Sequence, residues 1–481
     1  MYLGLDLGTS GLKALLIDDD QTIIAHETAS LTVSRPQTGW SEQEPSDWIA
    51  ACRVLFSKLR SYLPHVKAIG LAGHMHGLVL LDDNDEVLRP CILWNDVRAM
   101  TQAQSLDAIS AFRQISGTIV FPGFSAPKMQ WVRDHEPAVW SRAKTMLFPK
   151  DFLGFWLTGK KHCEPSDASG SALFDCATGE WSKILCDHAG IDPALLAPLM
   201  SSDGKRGTIT AQIATEFGLS KDVVVAGGAG DNAAAATGIG AVSKGHGLVS
   251  LGTSGVVLTV NDKWTPQAKT AVHSFCHAAT SHFIQMGVTL TATDSLSWLS
   301  DIMERSPAEL SNILPTSPTG PGEMIYLPYL AGERTPHNSD KALGAFIGLN
   351  RHDGRAELTQ AVMEGVAYSL ADCLRALQDA GADLEVVTAV GGGAKSHYWL
   401  QLISNVLDRP LAINHNAEHA AALGAARLGM AACKACAIQQ LIAPETSDHI
   451  IYPDPNITPS YQKKQQYYRN LYQAIRGAGE I

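Results

Sequence analysis

"LGLDLGTSGLKALLID" at residues 3–18 and "LVSLGTSGVVLTV" at residues 248–260 share the pentapeptide LGTSG, once from Leu7 to Gly11 and again from Leu251 to Gly255. In both copies apolar runs flank a glycine-bounded turn, the pattern of two antiparallel strands closed by a hairpin. An identical turn opening two halves of one chain points to two domains that begin with the same unit. Small residues in a tight turn let backbone N–H groups converge on an anion, and the Thr and Ser hydroxyls add donors. Two such turns facing across a cleft would hold the β- and γ-phosphates of a nucleotide from both sides. Neither turn has the spacing of a G-x-x-x-x-G-K-[ST] loop.

Working outward, other β-branched runs also end in glycine. Val66–Leu71 leads into Ala72-Gly-His-Met-His-Gly77, Val223–Ala226 into Gly227-Gly-Ala-Gly-Asp231, and Val386–Val390 into Gly391-Gly-Gly-Ala394. Helical spacing follows from Glu357 to Leu377, from a Ser396 cap to about Leu407, and from Tyr461 onward. Strands alternating with helices predict an α/β chain whose ligands gather at the strand ends. The glycine-spaced segment Gly238–Gly245 marks a boundary, giving domains 1–242 and 243–481.

A chain of 481 residues is too long for one compact core, which agrees with two domains. A net charge of −11 without dense Lys/Arg runs argues against nucleic acid or an anionic membrane as partner. The start, MYLGLDLG, shows no basic and apolar leader pattern, and the Gly/Ala-rich stretch Val223–Val242 carries Asp231, so neither a secretory signal nor a membrane span is expected. Nine cysteines without framework spacing fit reduced thiols, and a cytoplasmic location is the expectation. Cys433 and Cys436 have C-x-x-C spacing but read as helix-packing residues, since no second ligand pair accompanies them.

The copies of the turn differ in what precedes them. Asp6 stands before the first, Ser250 before the second. A carboxylate at a strand end beside a phosphate-sized turn suits Mg²⁺, a hard cation that keeps several waters and needs few protein ligands. A hydrogen-bonded turn aspartate is the competing reading. Asp231, amid glycines, can accept a proton from an attacking alcohol, with Asn232 beside it to bond a hydroxyl; it can equally cap the Ala233–Ala236 segment. The i, i+2 histidines His74 and His76 make a poor zinc signature and a better polar contact for a small ligand.

Taken together these stretches resemble the FGGY carbohydrate kinases over nearly the whole chain. The resemblance is carried by Asp6–Ser10, Trp94-Asn-Asp-Val-Arg98, Gly123-Phe-Ser-Ala-Pro-Lys128, Gly230-Asp-Asn-Ala-Ala234 and Leu251–Gly255. It continues through Val272–His277, Tyr329–His337, Gly391–Ala394 and Ala422–Ala426. Two longer signatures run from Gly123 to His135, centred on Lys128 and Trp131, and from Gly344 to Glu364. The resemblance implies two RNase H-like domains of the actin-like ATPase architecture closing over a cleft, with ATP and Mg²⁺ as cofactors. It implies Asp231 as base, Asp6 serving the metal-nucleotide, and Met75, His76, Asp231 and Asn232 on the sugar. Gly8, Thr9, Ser10, Lys13, Gly252, Thr253 and Gly391, Gly392, Gly393, Ala394 would contact the nucleotide. One departure is His74, where the family usually has Gln, which bears on the contacts around the sugar.

The activity so implied is phosphorylation of D-xylulose to its 5-phosphate, with ribulose or another polyol as the alternative acceptor. Asn232 argues against glycerol, because glycerol kinases typically carry Gln there. A non-kinase actin-like ATPase is disfavoured by the sugar-side residues. A dinucleotide oxidoreductase is disfavoured by the missing G-x-G-x-x-G fingerprint. Oligomeric state is left open, with a homodimer admitted.

Overall fold

The computed structural model describes residues 1–414, 416–442 and 449–477. Its two large sheets each have seven strands. The first contains β1 (Tyr2–Leu7), β2 (Gly11–Ile17), β3 (Ile23–Ser30), β4 (Ala68–Gly73), β5 (Lys205–Thr208), β6 (Val224–Ala226) and β7 (Ala229–Gly230). The order is β5-β6-β4-β1-β2-β3, with β7 also on β4. The second contains β8 (His246–Leu251), β9 (Gly255–Asn261), β10 (His273–Cys276), β11 (Phe283–Thr289), β12 (Val386–Val390), β13 (Leu411–Ile413) and β14 (Ile450–Ile451). Its order is β10-β11-β9-β8-β12-β13-β14.

The two sheets share one central strand pattern. In the first, β2 runs antiparallel to both of its neighbours, β3 and β1, and β4 and β6 then run parallel to β1. In the second, β11, β9, β8, β12 and β13 repeat those directions strand for strand. The central strands are apolar on both faces because helices cover both, as parallel α/β sheets require. The repeated hairpins are therefore the first two strands of each sheet.

Their registers differ. Leu7 pairs with Leu12, leaving a four-residue turn closed by Gly8 N–H to Gly11 C=O at 3.0 Å. Leu251 pairs with Gly255, leaving three residues. One pentapeptide thus closes two turns, because the flanking strands set the pairing.

Helix Ala420–Lys434 lies after the 242/243 position in the chain, yet it packs on the first sheet. A Cβ on Gly4 or Gly70 would stand 1.9 or 1.7 Å from the carbonyl oxygens of Ala422 and Ala425. The same helix meets helix Asp231–Gly238 backbone to backbone, where a Cβ on Gly424 or Gly238 would lie 1.9 or 1.8 Å from Ala234 or Ala420 oxygen. Arg427 donates to the carbonyls of Thr237 and Gly238, at 3.1 and 2.9 Å, and so satisfies that helix's C-terminus.

The remaining expected elements form with small shifts. The strand expected at 66–71 is Ala68–Gly73, and the terminal helix begins at Thr458 rather than Tyr461. Ser396 caps Trp399 N–H at 3.3 Å and opens helix His397–Leu407. All nine cysteines are free. Among the described residues no helix is long and apolar enough to cross a membrane.

Candidate active site

Strand pairing brings the first cluster together. Asp6 on β1 lies beside Ala72 on β4, which lies beside Ala229 on β7, so the ends of three strands share one edge. Asp231 follows two residues on, as the first residue of helix Asp231–Gly238 with Gly230 at the cap. Its Oδ1 accepts from the Asn232 N–H at 2.7 Å and the Asn232 side-chain amide at 2.9 Å. Burial, and then the Asp6 carboxylate, push its pKa up to about 7. A carboxylate in that state can accept an alcohol proton near neutral pH, which an ordinary aspartate does poorly.

Asp6 accepts no side-chain hydrogen bond among the described residues. The turn-aspartate reading therefore has no support. Burial raises its pKa while Lys13, its cross-strand partner, opposes the shift. A desolvated carboxylate with free lone pairs fits a hard cation. No group of three or more His, Cys, Asp or Glu gathers as a metal centre among the described residues, so any cation here would complete its shell with water and phosphate.

Met75 and His76 sit one strand end away. Met75 packs beneath Gly230, where a Cβ would lie 2.7 Å from its Cγ. His76 adopts φ 70°, left-handed for a residue with a side chain. Lys128 Nζ and Ser125 Oγ donate to its carbonyl at 3.0 and 3.1 Å and hold that conformation. Its Nδ1 lies 2.7 Å from Gly170 C=O, and burial pushes its pKa down to about 3. The ring is therefore neutral, donates from Nδ1 and leaves Nε2 as an acceptor. It stacks on Phe124 at 4.6 Å.

In the first turn, Thr9 Oγ1 accepts from Trp94 Nε1 at 3.0 Å. The N–H groups of Thr9 and Ser10, like those of Thr253 and Ser254 in the second turn, donate to no acceptor among the described residues. Lys13 Nζ donates to the Glu418 carbonyl at 3.3 Å. The second turn is braced from behind. Gly252 C=O accepts from Thr293 N–H and Oγ1, and Thr253 C=O from Ala292 N–H. Gly391, at φ 93°, presses its backbone against Leu251 and Gly252. Gly392 and Gly393 then line a cavity of about 710 Å³ with Thr293, Leu314, Tyr398 and Trp399. A Cβ on Gly392 would meet nothing within 4 Å, and Ala394 N–H closes back on Gly391 C=O at 3.2 Å. The structure thus gathers the predicted residues into two groups, one on each sheet, with no hydrogen bond between the two turns among the described residues.

Full-length comparisons agree with this geometry. Residues 1–238 match the FGGY family of carbohydrate kinases, N-terminal domain, and residues 247–433 match its C-terminal domain. The chain belongs to the FGGY family of carbohydrate kinases. It is 38% identical to the xylulose kinase of Klebsiella pneumoniae, over 99% of each chain, and 34% identical to that of Bacillus subtilis, over 98% of this chain and 96% of the relative. A crystal structure of a xyloylose kinase from Brucella ovis superposes with a TM-score of 0.97 at 45% identity, covering 99% of this chain and 100% of that one. The two sheets are those of the actin-like ATPase fold, and the protein is a kinase that uses ATP and a carbohydrate.

Several residues of this FGGY site were not readable from the sequence. A wholly buried cluster backs the Asp231 loop. Lys150 Nζ lies 2.9 Å from Asp151 and 3.4 Å from both Glu164 and Asp167, while Arg206 bonds Asp151 at 2.5 Å. Arg206 also donates to Gly227 C=O at 3.1 Å, and Gly230 N–H donates to Ser166 Oγ at 3.0 Å, which itself bonds Glu164. Both ends of the 227–230 turn are thus pinned. The local signal, Pro-Lys-Asp opening an apolar helix, gives no hint of Glu164 and Asp167, 14 and 17 residues beyond Lys150, or of Arg206, 55 residues beyond Asp151. His74 is the other surprise. Its ring lies in the core, edge-on to Trp48 at 5.9 Å, 2% exposed and without a hydrogen bond on either nitrogen. The departure from Gln therefore places a buried ring without polar contacts directly before Met75 and His76 in the chain.

Proposed function

We propose that this kinase transfers the γ-phosphoryl group of ATP to the terminal hydroxyl of D-xylulose, giving D-xylulose 5-phosphate and ADP. The observation that carries the mechanism is Asp231: a carboxylate held by Asn232, its pKa pushed up to about 7, and following Gly230, against which Met75 packs. The choice of D-xylulose rests on the full-length relatives named xylulose kinase.

Asp231 takes the proton as the sugar oxygen bonds to phosphorus and the bond to the β-phosphate oxygen breaks. Phosphoryl transfer needs little covalent help, so most of the rate comes from positioning and from donors aimed at the phosphoryl oxygens. His76 Nε2 and the Asn232 amide orient the sugar. The N–H groups of Thr9, Ser10, Thr253 and Ser254, with Gly8 and Gly252 giving close approach, receive the phosphates. Adenosine occupies the cavity beside Gly391, Gly392, Gly393 and Ala394. Asp6 would hold the Mg²⁺ of the nucleotide, which would neutralise phosphate charge when bound. Lys13 reaches the phosphates only by leaving Glu418. On this reading residues 1–242 carry the sugar site, the base and the first phosphate hairpin, and residues 243–481 carry the second phosphate hairpin and the adenosine loop.

The test is a sugar panel with ATP and Mg²⁺, reading ADP release. D-xylulose should give the highest kcat/KM. A higher value for ribulose or a polyol would reassign the acceptor, and ADP release independent of any sugar would remove the kinase mechanism itself.

A further inference from the structure

Two stretches of the family resemblance, Val272–His277 and Tyr329–His337, have no part in the mechanism above, yet the fold carries both to the sugar side. His273 and Phe275 lie on β10 of the second sheet, and both rings face the first half. Phe275 lies 6.2 Å from His76, and His273 lies 6.2 Å from Phe124, the ring on which His76 stacks. Arg334 reaches over the Phe121 ring with its guanidinium carbon 4.8 Å from the centroid.

The hydrogen bonding of Arg334 is incomplete. Its NH1 donates to His273 Nε2 at 3.5 Å, and His273 Nδ1 in turn bonds Thr118 Oγ1 at 3.3 Å. The adjacent Glu333 acts on the guanidinium through charge alone, without a close ion pair. Glu333 is occupied by the Thr289 hydroxyl at 2.6 Å, Leu290 N–H at 3.0 Å and the backbone N–H of Arg334 at 2.7 Å. A partly buried guanidinium with five donors, one long bond and no carboxylate partner among the described residues has donors to spare. Arg334 is also among the charges that act on His76, whereas the charge acting on Asp231 is Asp6. Arg334 therefore stands on the His76 side of the pocket, away from the base.

We infer that Arg334 donates to the C1–C2 end of the bound ketose, its carbonyl above all, and so sets the preference for ketoses over polyols. This rests on the proposed sugar kinase reading. If the C5 hydroxyl points at Asp231, an extended five-carbon acceptor directs its carbonyl end away from the base. A guanidinium gives that oxygen a charge-assisted, two-pronged donor. A polyol of the same length offers only a rotatable hydroxyl there, and a site built to bond one group discriminates against analogues that lack it. His273, fixed in its tautomer by Thr118 and Arg334, aims the guanidinium and makes Arg334 answer to both halves of the chain.

The experiment measures steady-state kinetics with D-xylulose, and xylitol as competitive inhibitor, for the wild type, Arg334→Met and Arg334→Lys. Arg334→Met should raise KM for D-xylulose at least tenfold, move kcat much less, and change the xylitol inhibition constant less than threefold. Arg334→Lys should recover part of the KM. An unchanged KM, or equal weakening of both ligands together with a lowered Tm, would make Arg334 a brace between Phe121 and His273 and overturn the inference. If the wild type prefers another ketose, the arms are read with that ketose and its polyol. A wild type that phosphorylates no ketose sinks the acceptor assignment and this inference together, while one that phosphorylates D-xylulose with an indifferent Arg334 sinks only the inference.

Discussion

Asp231 combines two properties that pull against each other. Its pKa of about 7 reflects burial and the nearby Asp6, both of which disfavour the charged form. A carboxylate whose folded pKa is raised binds its proton more tightly in the folded state. Stability from this group is therefore full below the unfolded value near 4 and declines as pH rises toward 7. Asp231→Asn should abolish nearly all sugar phosphorylation yet raise Tm at pH 8, because the neutral amide avoids burying a charge beside Asp6. Calorimetric melting of the two proteins checks this, and a lower Tm for the variant would contradict it. The same shift predicts an acid limb in kcat/KM for the sugar, falling below about pH 7 as Asp231 protonates; a flat profile down to pH 5 would take the base role from it. The carboxylate could be picked out of the sequence because it follows a glycine-rich strand end. Its raised pKa could not, since that depends first on burial in the fold and then on Asp6, 225 positions away. Lys128 illustrates the same gap. As part of a motif it was visible, but its work of bonding the His76 and Ile92 carbonyls exists only in three dimensions.

The hairpins, the 355–379 helix and the Ser396 cap were readable because each is decided by neighbours in sequence: period, turn glycines and a capping hydroxyl. The placement of helix Ala420–Lys434 was not, because its partners are backbone atoms of other elements. Glycines there act by absence of a side chain, and they divide into two kinds that predict opposite outcomes. Gly70→Ala would put a Cβ 1.7 Å from the Ala425 oxygen, where backbone cannot yield without displacing the helix. It should cost at least about 3 kcal/mol and lower Tm with any ligand state. Gly392→Ala meets nothing within 4 Å and needs no left-handed backbone. It should leave Tm within experimental error while raising KM for ATP several-fold, because the methyl enters the cavity assigned to adenosine. Melting curves and ATP titrations on the two variants separate these cases. Equal KM for ATP in Gly392→Ala and wild type would move the nucleotide elsewhere.

Across the whole chain, the duplication seen in LGTSG is a duplication of sheets, and function lies in how the copies differ. The first sheet end presents Asp6, Asp231 and His76, and the second presents neutral donors and a cavity. Two links already tie the halves on the sugar side: Cys276 N–H to Ser169 Oγ at 3.0 Å, and His273 to Thr118. The two turns share no hydrogen bond among the described residues; on the proposed reading a nucleotide grasped by both would draw the sheets together, and that movement would also tighten the wall of Phe275, His273 and Arg334 around the sugar. Each ligand then meets part of the ordering cost of the other, which makes their binding coupled and, by linkage, coupled to the same degree in both directions. D-xylulose should therefore strengthen binding of a non-hydrolysable ATP analogue at least fivefold, and the analogue should strengthen D-xylulose binding by the same factor. Isothermal titration of each ligand with and without the other measures both factors. Independent binding would mean that the halves hold their ligands without closing, and water would then have the same access to the phosphoryl group as the sugar hydroxyl has.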